Sequence, residues 1–167
     1  MYLGSLFLIS GRVLFHFNNT PFMPEMEYLP ITDDDIRLID NAKEAIRKGY
    51  RENWHSIGAA LRTSDKTVFT SIHFDATVGR IAICAEPIAV ANAIMSGKNR
   101  FDTIVAVKHP NEKNGRPEFQ VVSPCGMCRE FITDYDPETK AIIMTPGGLK
   151  KILMRDLLPY KYKEPSL

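Results

Sequence analysis

The chain has 167 residues, 44% of them hydrophobic and 25% charged, and its 21 Lys and Arg against 20 Asp and Glu leave a net charge of +1. That composition suits one globular domain and excludes a disordered tail, a fibrous repeat and a coiled coil. Near-neutrality gives no general electrostatic claim on nucleic acid or an anionic membrane, so neither is expected as a partner. The 3 Cys are odd in number and too few for a secreted disulfide scaffold. Free or metal-bound thiolates in a reducing, cytoplasmic setting fit better.

The first stretch, Met1 to Phe17, is apolar but is interrupted by Arg12. It is shorter than the ~20 residues of a membrane-spanning helix and lacks the basic leader of a secretory signal. Residues 1–31 are therefore expected to form an apolar arm that packs on the domain or on a neighbouring subunit. A start at Met23 or Met26 is the alternative. From Thr32 the pattern becomes regular. Thr32 or Asp33 can cap a helix over Asp33–Lys48, with acidic residues in its first turn and Ile36, Leu38, Ile39, Ala42, Ala45 and Ile46 at helical spacing. Ile57–Leu61 and Thr67–Ile72 read as a hairpin about the polar turn Arg62–Lys66. Cys84–Ser96 reads as an Ala-rich helix stopped by Gly97. Thr103–Val107 is a strand covered on both faces, and Phe119–Val122 a short strand beyond the loop His109–Pro117. Cys125–Thr133 reads as a helix, Ala141–Met144 as a buried strand, and Leu149–Leu158 as a last helix ended by Pro159. This alternation predicts an α/β domain with one sheet of about five strands and helices on both faces, spanning residues 32–160, and a tail of 161–167.

All three cysteines fall in two short segments, Cys84-Ala85-Glu86 and Pro124-Cys125-Gly126-Met127-Cys128. Cys125 and Cys128, three apart at a helix start, can chelate one ion. Cys84 also begins a helix, and helix N-termini favour the thiolate. Sulfur ligands in tetrahedral geometry select zinc. Three cysteines without a regularly spaced fourth ligand describe a catalytic site with one open position, not a closed structural one. His73 and His109 lack regular spacing to the pair. Glu86, two residues past a ligand, is placed to exchange a proton with water at that open position, and Arg129 is a candidate for neutralising thiolate charge. Taken singly, the CxxC could be a redox pair or half a zinc ribbon, and the Glu could merely complement a helix dipole. Together, C-A-E and P-C-G-M-C match the zinc deaminase signature with Cys in place of His.

At this point the chain resembles the cytidine deaminase family, particularly its small free-nucleoside branch, and the blasticidin S deaminases. Ile57-Gly58-Ala59-Ala60-Leu61 is similar to the family's first-strand V-G-A-A-L, Ser123–Arg129 to its S-P-C-G-x-C-R, and Asp156–Pro159 to its D/E-L-L-P. The resemblance implies a three-layer α-β-α fold and a hydrolase that adds water to C4 of a cytosine-like ring and releases ammonia. It implies one zinc ion per subunit on Cys84, Cys125 and Cys128, with Glu86 as the proton carrier. Backbone groups of Ala85, Ser123 and Pro124 would hold the ring edge. The family is typically homotetrameric, so a homotetramer or homodimer is expected, with a role in pyrimidine salvage. Where the family carries the nucleoside-binding Asn and Glu, this chain has His73 and Asp75, so a sugar-like group could still bind while cytidine itself is less well matched. Pro87 stands where cytidine deaminases often have an Arg, which the blasticidin S deaminases resemble this chain in lacking, and Glu130 replaces a Gln. Arg80, Trp54 and Phe74 are further candidate contacts. The alternatives are a blasticidin-S-like detoxifying deaminase and, from another class, a non-catalytic zinc module.

Overall fold

The computed structural model describes residues 6–9, 12–15 and 26–162. Within the expected arm, β1 (Leu6–Ile9) and β2 (Arg12–Phe15) pair antiparallel as a two-stranded sheet. The remainder of the arm before Met26, including Met23, and residues 163–167 of the tail lie outside the described residues. The end of the arm is joined to the domain: the Leu29 N–H donates to the Lys151 carbonyl at 2.7 Å, and Met26 packs on the core.

The first helix, α1 (Asp33–Gly49), begins with a reciprocal cap. The Thr32 hydroxyl accepts from the Asp35 N–H, and the Asp35 carboxylate accepts from the Thr32 N–H. This arrangement satisfies two donors that a bare helix end would leave unpaired. Leu38, Ile39, Ala42 and Ile46 form the buried stripe. The sheet then builds from β3 (Ile57–Thr63), β4 (Val68–Ile72), β5 (Phe101–Lys108), β6 (Gln120–Val122), β7 (Lys140–Thr145) and β8 (Gly148–Leu153). Its order is β4-β3-β5-β7-β8, with β6 also paired to β5. Only the β5–β7 pair is parallel among those described. One edge of β5 is shared: Thr103 and Ile104 pair with β7, whereas Ala106, Val107 and Lys108 pair with β6. The sheet has six strands against the expected five or so.

Side-chain alternation sorts the core into two layers. Ala60, Val105, Val107 and Ile142 pack with α1. Leu61, Ile104, Ala141 and Ile143 pack on the other face with α2 (Ala85–Met95) and α3 (Gly126–Tyr135). Strands covered on both faces must be apolar at consecutive positions, as β5 is. Helix α1 lies so close to β3 that a Cβ on Gly58 would meet the Ala42 carbonyl oxygen at 2.4 Å. Only glycine fits there.

The expected final helix over Leu149–Leu158 is not formed. Pro146 and Gly147 turn the chain directly after β7, and Gly148 takes φ +92°, so Gly148–Leu153 returns as β8 in antiparallel register with β7. Leu149 and Lys151 face the α1 layer and Ile152 the opposite one. A single 3-10 turn, Met154–Leu157, follows. The Leu149, Ile152 and Leu153 spacing mimics a helical stripe, but the Pro-Gly-Gly turn beside a free sheet edge favours a strand.

Candidate active site

Two helix starts meet at the end of the sheet where β3 begins and β6 ends. Cys84 is the N-cap of α2 and Cys125 the N-cap of α3, both in extended backbone conformation. Cys128 sits in the first turn of α3, fully buried. The Sγ atoms of Cys84 and Cys125 are 3.7 Å apart, and those of Cys125 and Cys128 3.5 Å. All three lie within 4.8 Å of one another. Tetrahedral zinc with ~2.3 Å Zn–S bonds requires sulfurs about 3.8 Å apart. The cluster therefore fits one zinc ion, and no fourth His, Cys, Asp or Glu joins it among the described residues.

The thiols respond to crowding. Burial, joined by neighbouring Glu86 and the other thiols, pushes Cys128 far above the ordinary thiol range. Burial also raises Cys84. Cys125 is lower than usual: burial acts against it, but hydrogen bonds from the Cys128 N–H and from the other two thiols outweigh that cost. Three apposed sulfurs of this kind favour a bound cation, which removes their protons on binding.

Glu86, in the first turn of α2, is 6% exposed. Burial raises its pKa, partly countered by its own backbone N–H and the Cys128 thiol. A buried carboxyl group whose pKa is raised holds a proton more readily than an ordinary one, which suits a proton carrier. It borders a pocket of about 240 Å³ whose walls include Ile57, His73, Ile83, Cys84, Ala85, Val122, Ser123 and Cys125.

The other predicted residues divide. Ala85, Ser123 and His73 line the pocket; Asp75 does not. Asp75 is exposed, and its carboxylate accepts from the adjacent Ala76 N–H at 2.8 Å. Pro124 is also outside the lining, and its carbonyl is taken by Arg129 Nε at 2.8 Å. Arg129 donates through Nη1 to the Leu157 carbonyl at 3.0 Å. Its hydrogen bonds thus tie the turn before Cys125 to the 3-10 segment after β8. Glu130 is paired with Lys161 of the tail. Arg80 lies in an exposed 3-10 turn, Trp54 packs beside His55 under the Arg51 guanidinium, and Phe74 is largely exposed. Sequence reasoning missed the apolar walls Ile57, Ile83 and Val122. Their only signal was their place at the ends of strands or just before Cys84.

Residues 32–145 match the family described as the cytidine and deoxycytidylate deaminase zinc-binding region. The chain belongs to that family. It is 42% identical over 137 residues to the blasticidin-S deaminase of Bacillus cereus, an alignment covering 82% of this chain and 98% of the relative. A cytidine deaminase of Sporosarcina psychrophila is 25% identical over 137 residues, covering 80% and 95%. The crystal structure of cytidine deaminase from Burkholderia pseudomallei superposes with a TM-score of 0.63 at 26% identity, covering 79% of this chain and 100% of that one. The protein is accordingly a zinc-dependent hydrolytic deaminase of cytosine-type compounds. Among the described residues, no helix is long and apolar enough to cross a membrane.

Proposed function

We propose that the substrate is a modified cytosine nucleoside of the blasticidin S class rather than cytidine, and that the enzyme serves detoxification. The observation that carries this reading is the 42% identity along 98% of the Bacillus cereus blasticidin-S deaminase, against 25% to a cytidine deaminase over a similar length. His73 and Asp75 support it, since the pocket wall presents an imidazole and withholds the shorter carboxylate.

Cys84, Cys125 and Cys128 would hold the zinc. When bound, zinc acts as a Lewis acid that makes water nucleophilic near neutral pH. The chain's own chemistry centres on Glu86. Its buried carboxylate takes one proton from the attacking water and delivers it to the ring nitrogen beside the reacting carbon. It then takes the remaining proton from the newly added hydroxyl and passes it to the amino group, so that the C–N bond breaks, the C=O bond forms, ammonia leaves and the carboxylate is restored. Ala85 and Ser123 border the same pocket and orient the ring edge through their backbone. Ile57, Ile83 and Val122 keep the walls apolar, which strengthens the few polar contacts. The catalytic unit is residues 32–160, with 1–31 as an arm and 161–167 as a tail.

The test is ammonia release by zinc-loaded protein from blasticidin S, cytidine and deoxycytidine. The reading expects kcat/KM for blasticidin S to exceed that for cytidine by at least about tenfold, roughly the worth of one well-matched polar contact. Equal or better turnover of cytidine overturns it.

A further inference from the structure

His73 lies just beyond β4 and forms part of the pocket wall. Its Nδ1 accepts two backbone hydrogen bonds, from the Ser56 N–H at 3.1 Å and from the Ile57 N–H at 3.0 Å. The His73 backbone N–H donates to the Ile57 carbonyl at 2.9 Å, so the residue is held against the start of β3 by both main chain and ring. An imidazole nitrogen that accepts cannot carry a proton, so the neutral ring must carry it on Nε2. Protonating Nδ1 would sacrifice both backbone bonds and leave two N–H groups facing a cation. Burial, reinforced by nearby His55, also holds the His73 pKa below its ordinary value. Apart from Glu86 and Ser123, the side chains around the ring in this wall are aliphatic or thiol.

We propose that His73 is a donor-only selector. With Nδ1 committed to the backbone, the ring offers the substrate one Nε2–H and no acceptor, so it favours a nucleoside whose non-base portion presents a proton-free oxygen over one that presents a hydroxyl. An ether, carbonyl or carboxylate oxygen accepts from Nε2–H and is satisfied. A hydroxyl in that place also accepts, but its own proton then faces a wall in which only Glu86 and Ser123 carry other polar side chains, and an unmade buried hydrogen bond is penalised more than a made one is rewarded. Asp75, which could have received that proton, is turned to the Ala76 N–H outside the pocket. The proposal rests on the reading that this pocket takes a cytosine nucleoside.

Two measurements test it. The first is ¹⁵N NMR of the wild-type imidazoles, with His73 assigned by substitution. An unprotonated Nδ1 and a protonated Nε2 at neutral pH are expected, and a protonated Nδ1 overturns the proposal. The second is kcat/KM for cytidine and its 2′-, 3′- and 5′-O-methyl ethers, each of which converts one hydroxyl to a proton-free acceptor. Wild-type enzyme should prefer one ether to cytidine by roughly tenfold or more. His73→Asn, whose amide both donates and accepts, should erase that preference. An unchanged ratio in the variant, or a wild-type preference for cytidine, overturns the selector, and the wild-type results decide the matter even where the variant fails to fold. Absence of ammonia from every probe and from blasticidin S, with the Nε2–H tautomer observed, instead overturns the nucleoside reading and the selector with it.

Discussion

The two ends of the sheet both bury charge, and they handle it in opposite ways. At the end remote from the thiols, Asp35 is fully buried, and its two oxygens meet Arg62 Nη2 at 2.7 Å and Lys151 Nζ at 2.6 Å. Arg62 also donates through Nε to Asp102, which pairs with Lys140 at 3.1 Å. Burial alone would raise the Asp35 pKa, yet hydrogen bonds from Lys151, Arg62 and Thr32 bring it down to about 2. At the other end, Glu86 is buried without a cationic partner among its described contacts, and its pKa moves up. Burial therefore gives a structural carboxylate that stays charged well into acid in one place and one inclined to hold a proton in the other. Partner supply, more than depth, separates framework from chemistry in this molecule.

The largest effect should come from removing the unpaired acid. Glu86→Gln should keep its zinc, read by metal analysis, while turnover falls by about 10²–10⁴, the usual worth of a positioned general acid–base. Folding stability should hold or rise, because a desolvated carboxyl is replaced by a neutral amide. Undiminished turnover in the zinc-loaded variant would end the assignment of Glu86 as the proton carrier.

The mirror experiment is Asp35→Asn. It leaves Lys151 buried without its counter-charge and Arg62 with Asp102 alone, a change that costs about 3–5 kcal/mol when one partner of a buried pair is lost. Urea unfolding should show that loss, while kcat/KM of the folded fraction stays near wild type. A loss below about 1 kcal/mol would mean the network relaxes easily to water and that the two ends differ less than their geometry implies.

Acid titration sharpens the same contrast at smaller amplitude. The Asp35 pKa is depressed from 3.8 to about 2 on folding. Its contribution is thus fully present above pH ~4 and is lost as pH falls through ~2, a difference of about 2 kcal/mol. The unfolding midpoint in urea should drop across that window in wild type, and the drop should shrink in Asp35→Asn.

These contrasts also mark what the amino-acid sequence could disclose. Cys84 with Glu86, and Cys125 with Cys128, were legible as pairs because each relation is short-range: a helix start fixes where residues i, i+2 and i+3 point. The caps of α1 and the apolar run of β5 were legible for the same reason. That the two residue pairs meet across 41 positions was legible from the joint signature alone. The role of Asp35 was not. It reads as one of three acids suited to a helix dipole, and its burial depends on Lys151, 116 positions away. Strand β8 was misread because Leu149, Ile152 and Leu153 fit a helical stripe, whereas the deciding fact was the exposed edge of β7, which only the folded sheet supplies. The state of His73 likewise depends on the Ser56 and Ile57 backbone on another strand.

The smallest expected effect separates charge from position at Arg129. The sequence suggests a cation neutralising thiolates. In the fold, its guanidinium instead donates to the Pro124 and Leu157 carbonyls. Lysine at this position keeps the charge but cannot span two carbonyls in fixed directions. Arg129→Lys should therefore lose about 1–2 kcal/mol of stability, roughly one charge-assisted hydrogen bond. Zinc affinity should weaken with it, because the turn that carries Cys125 is no longer tied to the segment after β8. Were charge neutralisation the whole of its role, the lysine variant would bind zinc as wild type does in a chelator competition, and only Arg129→Gln would fail. Comparison of the two variants assigns Arg129 either to the thiolates or to the backbone that aims them.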